Sequence, residues 1–303
     1  MSGNTILILG TNEDEHASAV LHELRRRNFQ VELLDSRWFP GVMTASFDPV
    51  TGQGTLRLPH QRRLPLAEVR SVYWRNYFGI FGPDLPDPDQ AFLAQNDSRS
   101  LFESLLIHLP VRWVNGWRAF QLHQTKPVQL ARVAALGVRV PATLLTNDPD
   151  DVRAFAQTHP RAIVKPVQGG DQTRRLLPEH LTDATLENLR LSPITLQEEV
   201  AGTNIRVFIA GGRVLACEVR TNQLDYREDR QPTLLVHSLP DDVASQSLRI
   251  ARELDLLWTG IDYRLTPAGE YIFLEANPSP MFLGFQSATG LPLLESLVDL
   301  LAA

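Results

Sequence analysis

The chain has 303 residues, of which 43% are hydrophobic and 21% are charged, and its formal net charge is −6. This composition is typical of a folded globular protein, and the length predicts two or three subdomains. The negative charge argues against a general nucleic-acid partner. No stretch approaches the ~20 apolar residues that span a bilayer. The single cysteine, Cys217, fits a reducing compartment, so we expect a cytoplasmic protein without a membrane partner.

The first 115 residues alternate predicted strands and helices. Residues 5–10 and 29–35 have the pattern of buried strands, and residues 15–28 between them have that of an amphipathic helix. This β-α-β opening predicts a parallel sheet covered by helices. Further strands are expected within 45–59 and 69–79, and a helix over 90–109. We assign residues 1–115 to an N-terminal α/β domain.

The pattern changes to mixed α+β after this point, and two further units are expected, at 116–195 and 196–303. Helices are predicted over 118–136, from about 148, and over 241–258. Strands are predicted within 139–148, 161–170 and 194–200, and hairpins over 204–220, around Gly211-Gly212, and over 259–278.

The second hairpin carries a candidate metal site. Alternation along "YIFLEAN" places Tyr271, Phe273, Glu275 and Asn277 on one face. Asp262 lies on the first strand of the hairpin, and antiparallel pairing brings it opposite or diagonal to Glu275. A strand that runs out into solvent also accounts for these side chains. Two adjacent carboxylates among apolar neighbours favour a Mg²⁺ site, because they repel each other unless a cation lies between them.

Magnesium with few protein ligands usually completes its shell with substrate phosphates, so cationic side chains are expected nearby. Lys165 ends an apolar strand before Gly169-Gly170, where it can contact a phosphate or simply be a surface lysine. Arg206 and Arg220 lie in the first hairpin, and each needs an anionic partner if buried, either an acidic side chain or a phosphate. A two-residue turn pairs Arg206 with Cys217 and puts Arg220 on the opposite face.

Taken in order, these motifs resemble the ATP-grasp superfamily. The motifs are Lys126, Lys165 before a Gly-rich loop, "LQEEV", "NIRVFIAGGRVLACEVR", Asp262 and "EAN". The chain is more narrowly similar to the ribosomal protein S6 glutamate ligase-like branch, and most like its graspetide or microviridin-type peptide maturases. Residues 125–155 and "LDYRED" (224–229) carry that narrower likeness.

The resemblance implies an ATP-grasp fold, with two α+β subdomains, the first a lid, enclosing ATP and one or two Mg²⁺ ions. It assigns a role to each motif. It assigns phosphate contacts to Lys126, Lys165, Gly169 and Gly170, and an adenine-binding hinge to Gln197, Glu198, Glu199 and Val200. The ribose is assigned to Asn204, and the neutralisation of phosphate or acyl-phosphate charge to Arg206 and Arg220. The Mg²⁺ ligands that it implies are Asp262, Glu275 and Asn277.

The activity that the resemblance implies is ATP-dependent ligation of a peptide or protein carboxylate to an amine or hydroxyl, through an acyl phosphate, by a homodimer. The chain departs from the family at two points: Asn204 stands where many relatives carry an acid on the ribose, and "SPMFLGF" follows Pro278 where peptide-crosslinking relatives often have Gly-Gln, which concerns the acceptor substrate. A glutamate-adding or small-molecule ligase and a non-catalytic ATP-binding protein are the alternatives. The Gly-rich loop, 168–175, is expected to become ordered when nucleotide binds.

Overall fold

The computed structural model describes residues 3–168 and 172–303. The N-terminal part forms a four-stranded parallel sheet of order β2-β1-β6-β7 and a small antiparallel sheet β3-β4-β5. The predicted parallel sheet is therefore confirmed. Its elements are β1 Thr5–Leu9, α1 Glu15–Arg26, β2 Gln30–Leu34, β3 Thr44–Phe47, β4 Gly54–Arg57, β5 Arg63–Pro65, β6 Val69–Trp74, α2 Pro88–His108 and β7 Arg112–Val114.

The central part forms an antiparallel sheet of order β10-β9-β11-β8, with a small core under α5. The elements from here to the end of this sheet are α3 Trp117–Gln124, α4 Lys126–Ala135, β8 Thr143–Thr146, α5 Pro149–Thr158, β9 Ala162–Pro166, β10 Arg174–Arg175, α6 Asp183–Leu186 and β11 Ile194–Glu198. The predicted loop glycines Gly169 and Gly170 lie outside the described residues.

One helix over 118–136 was expected, and this is wrong. The chain leaves the helical conformation at Thr125, where φ is −106° and ψ is 60°. Pro127 explains the break, because proline lacks the N–H that would bond back into α3 and its ring clashes with the preceding turn. Lys126 thereby becomes the first residue of a new helix, α4.

The C-terminal part is a five-stranded antiparallel sheet of order β14-β13-β12-β15-β16. The helix α7 ends at Glu253, earlier than predicted, and Trp258 already belongs to the next strand. The last two helices of the chain were not predicted from the sequence. The elements are β12 Thr203–Ala210, β13 Arg213–Arg220, β14 Thr233–Val236, α7 Asp241–Glu253, β15 Trp258–Leu265, β16 Tyr271–Asn277, α8 Leu283–Thr289 and α9 Leu293–Ala302.

The five-stranded sheet is packed on both faces. One face meets α4 and α7 around Val207, Ile261 and Phe273. The other contributes Phe208 to a core shared with α1, α8, α9 and the parallel sheet. This shared core joins the beginning and the end of the chain. No helix in the described part of the chain is long and apolar enough to cross a membrane.

Candidate active site

One face of the five-stranded sheet has an apolar end and a polar end. At the apolar end, Phe208 and Trp258 pack against each other, and Trp258 meets Phe282 edge-on. Alternate residues of a strand share a face, so the cross-strand partners in β12, β15 and β16 show which side chains lie together at the polar end. It carries Asn204, Arg206, Asp262, Arg264 and Glu275.

The two predicted metal-binding carboxylates face each other at this polar end. Asp262 on β15 is the direct cross-strand partner of Glu275 on β16, as the hairpin predicts. Arg206 is paired with Asp262 on one side and with Cys217 on the other, which confirms the two-residue turn of the first hairpin. The expected register of the first hairpin is therefore confirmed, and of the two placements left open for Asp262, opposite or diagonal to Glu275, the structure shows the first.

A β-bulge sets the direction of Glu275. The register of β15 and β16 shifts between Asp262 and Tyr263, and Leu274 is left as an extra residue of β16 without a partner on β15. Phe273 consequently packs in the core, whereas Leu274 and Glu275 both line the cleft. The expectation that Tyr271 and Phe273 share a face with Glu275 and Asn277 is wrong, because an inserted residue reverses the alternation.

Each carboxylate is paired with a cation. Arg206 Nη1 donates to Asp262 Oδ2 at 2.6 Å, and Lys126 Nζ donates to Glu275 Oε2 at 2.7 Å. Burial alone would lower the pKa of Arg206, but the nearby carboxylate of Asp262 outweighs it and raises the pKa above its ordinary value. Arg206 is therefore a buried positive charge beside Asp262, which itself lines the cleft.

Glycine at position 260 makes room for this arginine. A Cβ built on Gly260 would lie 2.6 Å from Arg206 Nε and 2.8 Å from its Cζ, so the guanidinium lies directly on the backbone of β15. The Nε atom is buried without a hydrogen-bond partner. Only a glycine leaves space for this contact, and the sequence pattern gave no signal for it.

Gln129 fixes α4 to the metal-site strand. Its side chain accepts from the backbone N–H of Ala276 at 2.8 Å and donates to the Ala276 carbonyl at 2.9 Å. Ala276 follows Glu275 directly, so this pair of bonds sets the distance between α4 and the carboxylate that Lys126 contacts. Gln129 is 2% exposed and was not identified from the sequence.

The opposite wall of the cleft is made by β9 and β11. Lys165 Nζ donates to Gln197 Oε1 at 3.0 Å, and Gln197 Nε2 in turn donates to Thr143 Oγ1 at 2.9 Å. Glu198 and Glu199 follow Gln197 where the chain crosses between the two sheets. The predicted hinge thus lies at the junction of the two walls.

Glu199 is held by two arginines on the outside of this wall. Arg175 and Arg161 both donate to its carboxylate, at 3.0 and 3.1 Å. The hydrogen bond from Arg175 is the largest influence that lowers the pKa of Glu199, although partial burial acts in the opposite direction. The carboxylate of Glu199 is thus engaged by the two arginines, so a ligand at the hinge would contact the backbone of Glu199 and not its side chain.

The cleft between the two sheets brings most predicted residues together. It is lined by Lys126, Ile163, Lys165, Pro166, Thr173, Gln197, Glu198, Glu199, Val200, Asn204, Leu224, Asp225, Tyr226, Asp262, Arg264, Leu274 and Glu275. The segment 224–226 comes from the "LDYRED" stretch. Ile163 and Leu274 give the cleft an apolar portion beside its charged end.

Three predicted residues of the described part of the chain are not among those that line the cleft: Arg206 is buried beside Asp262, and Arg220 and Asn277 lie farther away. Asn277 is the last residue of β16 and lies beyond the cleft, and its Oδ1 accepts from the backbone N–H of Ser279 at 2.9 Å. Arg220 lies on the face of β13 opposite to Arg206 and pairs with Glu218 at 2.6 Å. Gly169 and Gly170 are outside the described residues.

The donor set fits Mg²⁺. The described residues contain no group of three or more His, Cys, Asp or Glu side chains placed to hold a metal ion. Two carboxylates and one carboxamide at the end of a hairpin are oxygen ligands of the kind that Mg²⁺ prefers, and substrate phosphates usually complete its shell. We propose Asp262, Glu275 and Asn277 as the residues that would hold the ion.

The chain resembles known ligases over its whole length. Its structure is similar to that of the ATP-grasp ligase PsnB complexed with a minimal precursor, with a TM-score of 0.84 and 29% identity, covering 100% of this chain and 99% of that chain. It is also similar in fold to the macrocyclase MdnC of Microcystis aeruginosa MRC bound with precursor peptide MdnA, with a TM-score of 0.84 and 22% identity over 99% of each chain.

A third similar structure is the Chryseobacterium gregarium RiPP-associated ATP-grasp ligase in complex with ADP and a leader and core peptide, with a TM-score of 0.85 and 20% identity over 99% of this chain and 96% of that one. No curated protein sequence matches the chain. Residues 117–301 match the family model described as the RimK-like ATP-grasp domain. The chain therefore has the ATP-grasp fold and belongs to the RimK-like ATP-grasp family.

Proposed function

We propose that the chain is an ATP-dependent ligase that joins a carboxylate of a precursor peptide to an amine or hydroxyl, releasing ADP and phosphate. One observation carries the proposal: Asp262 and Glu275 are direct partners, each paired with a cation, in a cleft whose opposite wall holds Lys165. The full-length similarity to PsnB, which was solved with a minimal precursor, supports a peptide substrate.

The nucleotide is proposed to lie between the two antiparallel sheets. Its base is proposed to occupy the apolar portion of the cleft, between Ile163 and Leu274 and beside the backbone of residues 197–200. Asn204 on β12 is proposed to contact the ribose. Lys126 and Lys165 are proposed to contact the phosphates, with Gly169 and Gly170 in the adjoining loop.

Bound Mg²⁺ would supply charge stabilisation to the phosphoryl group in transfer. The contribution of the chain's own residues is to fix charge around it. Arg206 cannot move far, because it is buried on Gly260, so it presents a constant positive charge to an acyl phosphate. The role of Arg220 as a second such charge stays a prediction, since in this structure it pairs with Glu218 outside the cleft.

We further propose three functional units, 1–115, 116–195 and 196–303, with peptide selectivity in the first. Strand β11, Ile194–Glu198, continues across the second of these boundaries.

A cytoplasmic location is proposed from the single, buried Cys217. A homodimer is proposed as well, and the exposed apolar side chains of Phe92 and Leu93 on α2 support it; light scattering of the purified protein tests it.

The test uses the purified protein, ATP, Mg²⁺ and candidate precursor peptides rich in Thr, Lys and acidic residues. We expect peptide-dependent ADP release and loss of one water from the peptide for each bond formed. Glu275→Gln should abolish both, and Glu270→Gln, a more exposed glutamate of the same hairpin, should not. Turnover only with free amino acids would instead indicate a small-molecule ligase. Nucleotide binding without turnover on any substrate would refute the ligase proposal.

A further inference from the structure

The segment that follows Asn277 is held by the N-terminal part of the chain. Arg75, just after β6, donates through Nη1 to the carbonyl of Ser279 at 2.8 Å and to Ser279 Oγ at 3.0 Å. Ser279 Oγ donates back to the carbonyl of Arg75 at 2.9 Å. These three bonds join positions more than 200 residues apart in sequence and tie the two parts of the molecule at this point.

Arg75 is itself fixed. It is 8% exposed, and its Nε donates to Asp14 at 3.0 Å. Asp14 also accepts from the backbone of Ala17, as the N-cap of α1, and from Asn76. The guanidinium therefore has an anionic partner on one side and Ser279 on the other, and it has little freedom to adopt another rotamer.

A second anchor lies on the same segment. Asn115, which follows β7 and is fully buried, donates to the carbonyl of Pro278 at 2.7 Å and to that of Trp258 at 2.6 Å. Its Oδ1 accepts from the backbone N–H groups of Leu257 and Trp258. The carbonyls of two successive residues after Asn277, Pro278 and Ser279, are thus bonded to strand ends of the parallel sheet.

We infer that Arg75 is a positioning residue for the metal site, acting through Ser279 on the carboxamide of Asn277. The connection is direct: the backbone N–H of Ser279 donates to Asn277 Oδ1, so the position of Ser279 sets the orientation of that oxygen. Thr259 Oγ1 holds the backbone of the same residue by donating to the Asn277 carbonyl at 2.8 Å. This inference rests on the proposed role of Asn277 as a metal ligand.

The test measures metal affinity without turnover. Mn²⁺ is titrated into the protein with ADP present, and bound Mn²⁺ is followed by electron paramagnetic resonance. Loss of a residue that orients a metal ligand typically costs about 10- to 100-fold in affinity. We expect Arg75→Gln to weaken Mn²⁺ binding by about 10-fold or more, Ser279→Ala to weaken it less, and Arg75→Lys to restore part of the loss, while ADP affinity in the absence of metal stays unchanged.

The matched control is Arg27→Gln. Arg27 also forms an ion pair between distant parts of the chain, with Asp299 at 2.6 Å, but it does not contact the segment after β16. Equal weakening of Mn²⁺ binding by Arg27→Gln and Arg75→Gln would overturn the inference. So would unchanged Mn²⁺ affinity in Ser279→Ala, a milder change that keeps the fold if Arg75→Gln does not. Asn277→Ala with wild-type Mn²⁺ affinity would refute the metal role itself and identifies a failure of the proposed function.

Discussion

Replacing Gly260 by alanine should displace Arg206 and thereby impair catalysis. The added Cβ would lie 2.6 Å from Arg206 Nε, 2.8 Å from Cζ and 2.9 Å from Nη2. Ordinary contacts between such atoms are about 3.5 Å, so the guanidinium must move by about 1 Å. All three atoms belong to the end of the Arg206 side chain, so the backbone of β15 need not shift, but the side chain is buried and paired with Asp262. We therefore expect the free energy of unfolding to fall by about 1–3 kcal/mol, the usual cost of overpacking.

The catalytic cost follows from the same displacement. Misplacement of a catalytic group by about 1 Å reduces the rate about 100-fold, which corresponds to about 2.7 kcal/mol in the activation free energy. ADP release with a peptide substrate measures the rate, and thermal unfolding measures stability. Gly212→Ala is the control, because nothing lies within 4 Å of the Cβ it adds at the turn of the neighbouring hairpin.

A double-mutant cycle with Arg206→Ala shows whether the effect passes through the arginine. Gly260→Ala should cost little more activity in a chain that already lacks the guanidinium, since coupled residues are not additive. Wild-type activity of Gly260→Ala would refute the reasoning. An equal loss in both backgrounds would show that the glycine acts on something other than Arg206.

Three further outcomes are expected. Glu275→Gln keeps the shape of the side chain but removes the charge that pairs with Lys126, so ADP release should fall by orders of magnitude while circular dichroism stays unchanged. Asp14→Asn retains a helix cap but loses the ion pair with Arg75. Partial burial would raise the pKa of Asp14, but the hydrogen bond from Arg75 and the other donors lower it overall, so the stabilisation from this carboxylate is present above its ordinary pKa and is lost as pH falls. Acid unfolding of the variant should therefore depend less on pH below about 4 than that of the wild type. Backbone amides of residues 168–175 should exchange more slowly with a non-hydrolysable ATP analogue; equal exchange in both states would contradict the expected ordering.

The hairpins near the site were predictable because their registers have local causes. A two-residue Gly-Gly turn fixes which residues of β12 and β13 face each other, and this placed Arg206 opposite Cys217. The second turn likewise pairs Tyr263 with Phe273 and brings Asp262 to the level of Leu274 and Glu275, and the bulge then makes Glu275 its direct partner. The break at Thr125 also had a local signal, Pro127, which the helical periodicity on either side obscured.

Other parts of the site have no local cause. The extra residue at Leu274 does not change the apolar pattern of β16, so nothing in the sequence indicates that the alternation reverses there. The contacts of Gln129 with Ala276 and of Arg75 with Ser279 join residues that are far apart along the chain. A single sequence shows that such side chains are polar, but only the packing of the sheets shows what they hold.

The ion pairs of the cleft also show how the site can remain folded around two carboxylates. Asp262 and Glu275 would repel each other at the end of the hairpin, and Arg206 and Lys126 balance their charges. The two cations differ in mobility: Arg206 is 6% exposed and is held on Gly260, whereas Lys126 is 26% exposed at the start of a helix. If Mg²⁺ bound at Glu275, Lys126 would be the cation able to turn from the carboxylate to a phosphate, and Arg206 would keep its pair with Asp262. This exchange of partners at Lys126 would couple binding of the metal to binding of the nucleotide, because it would leave neither the carboxylate nor the lysine without an opposite charge.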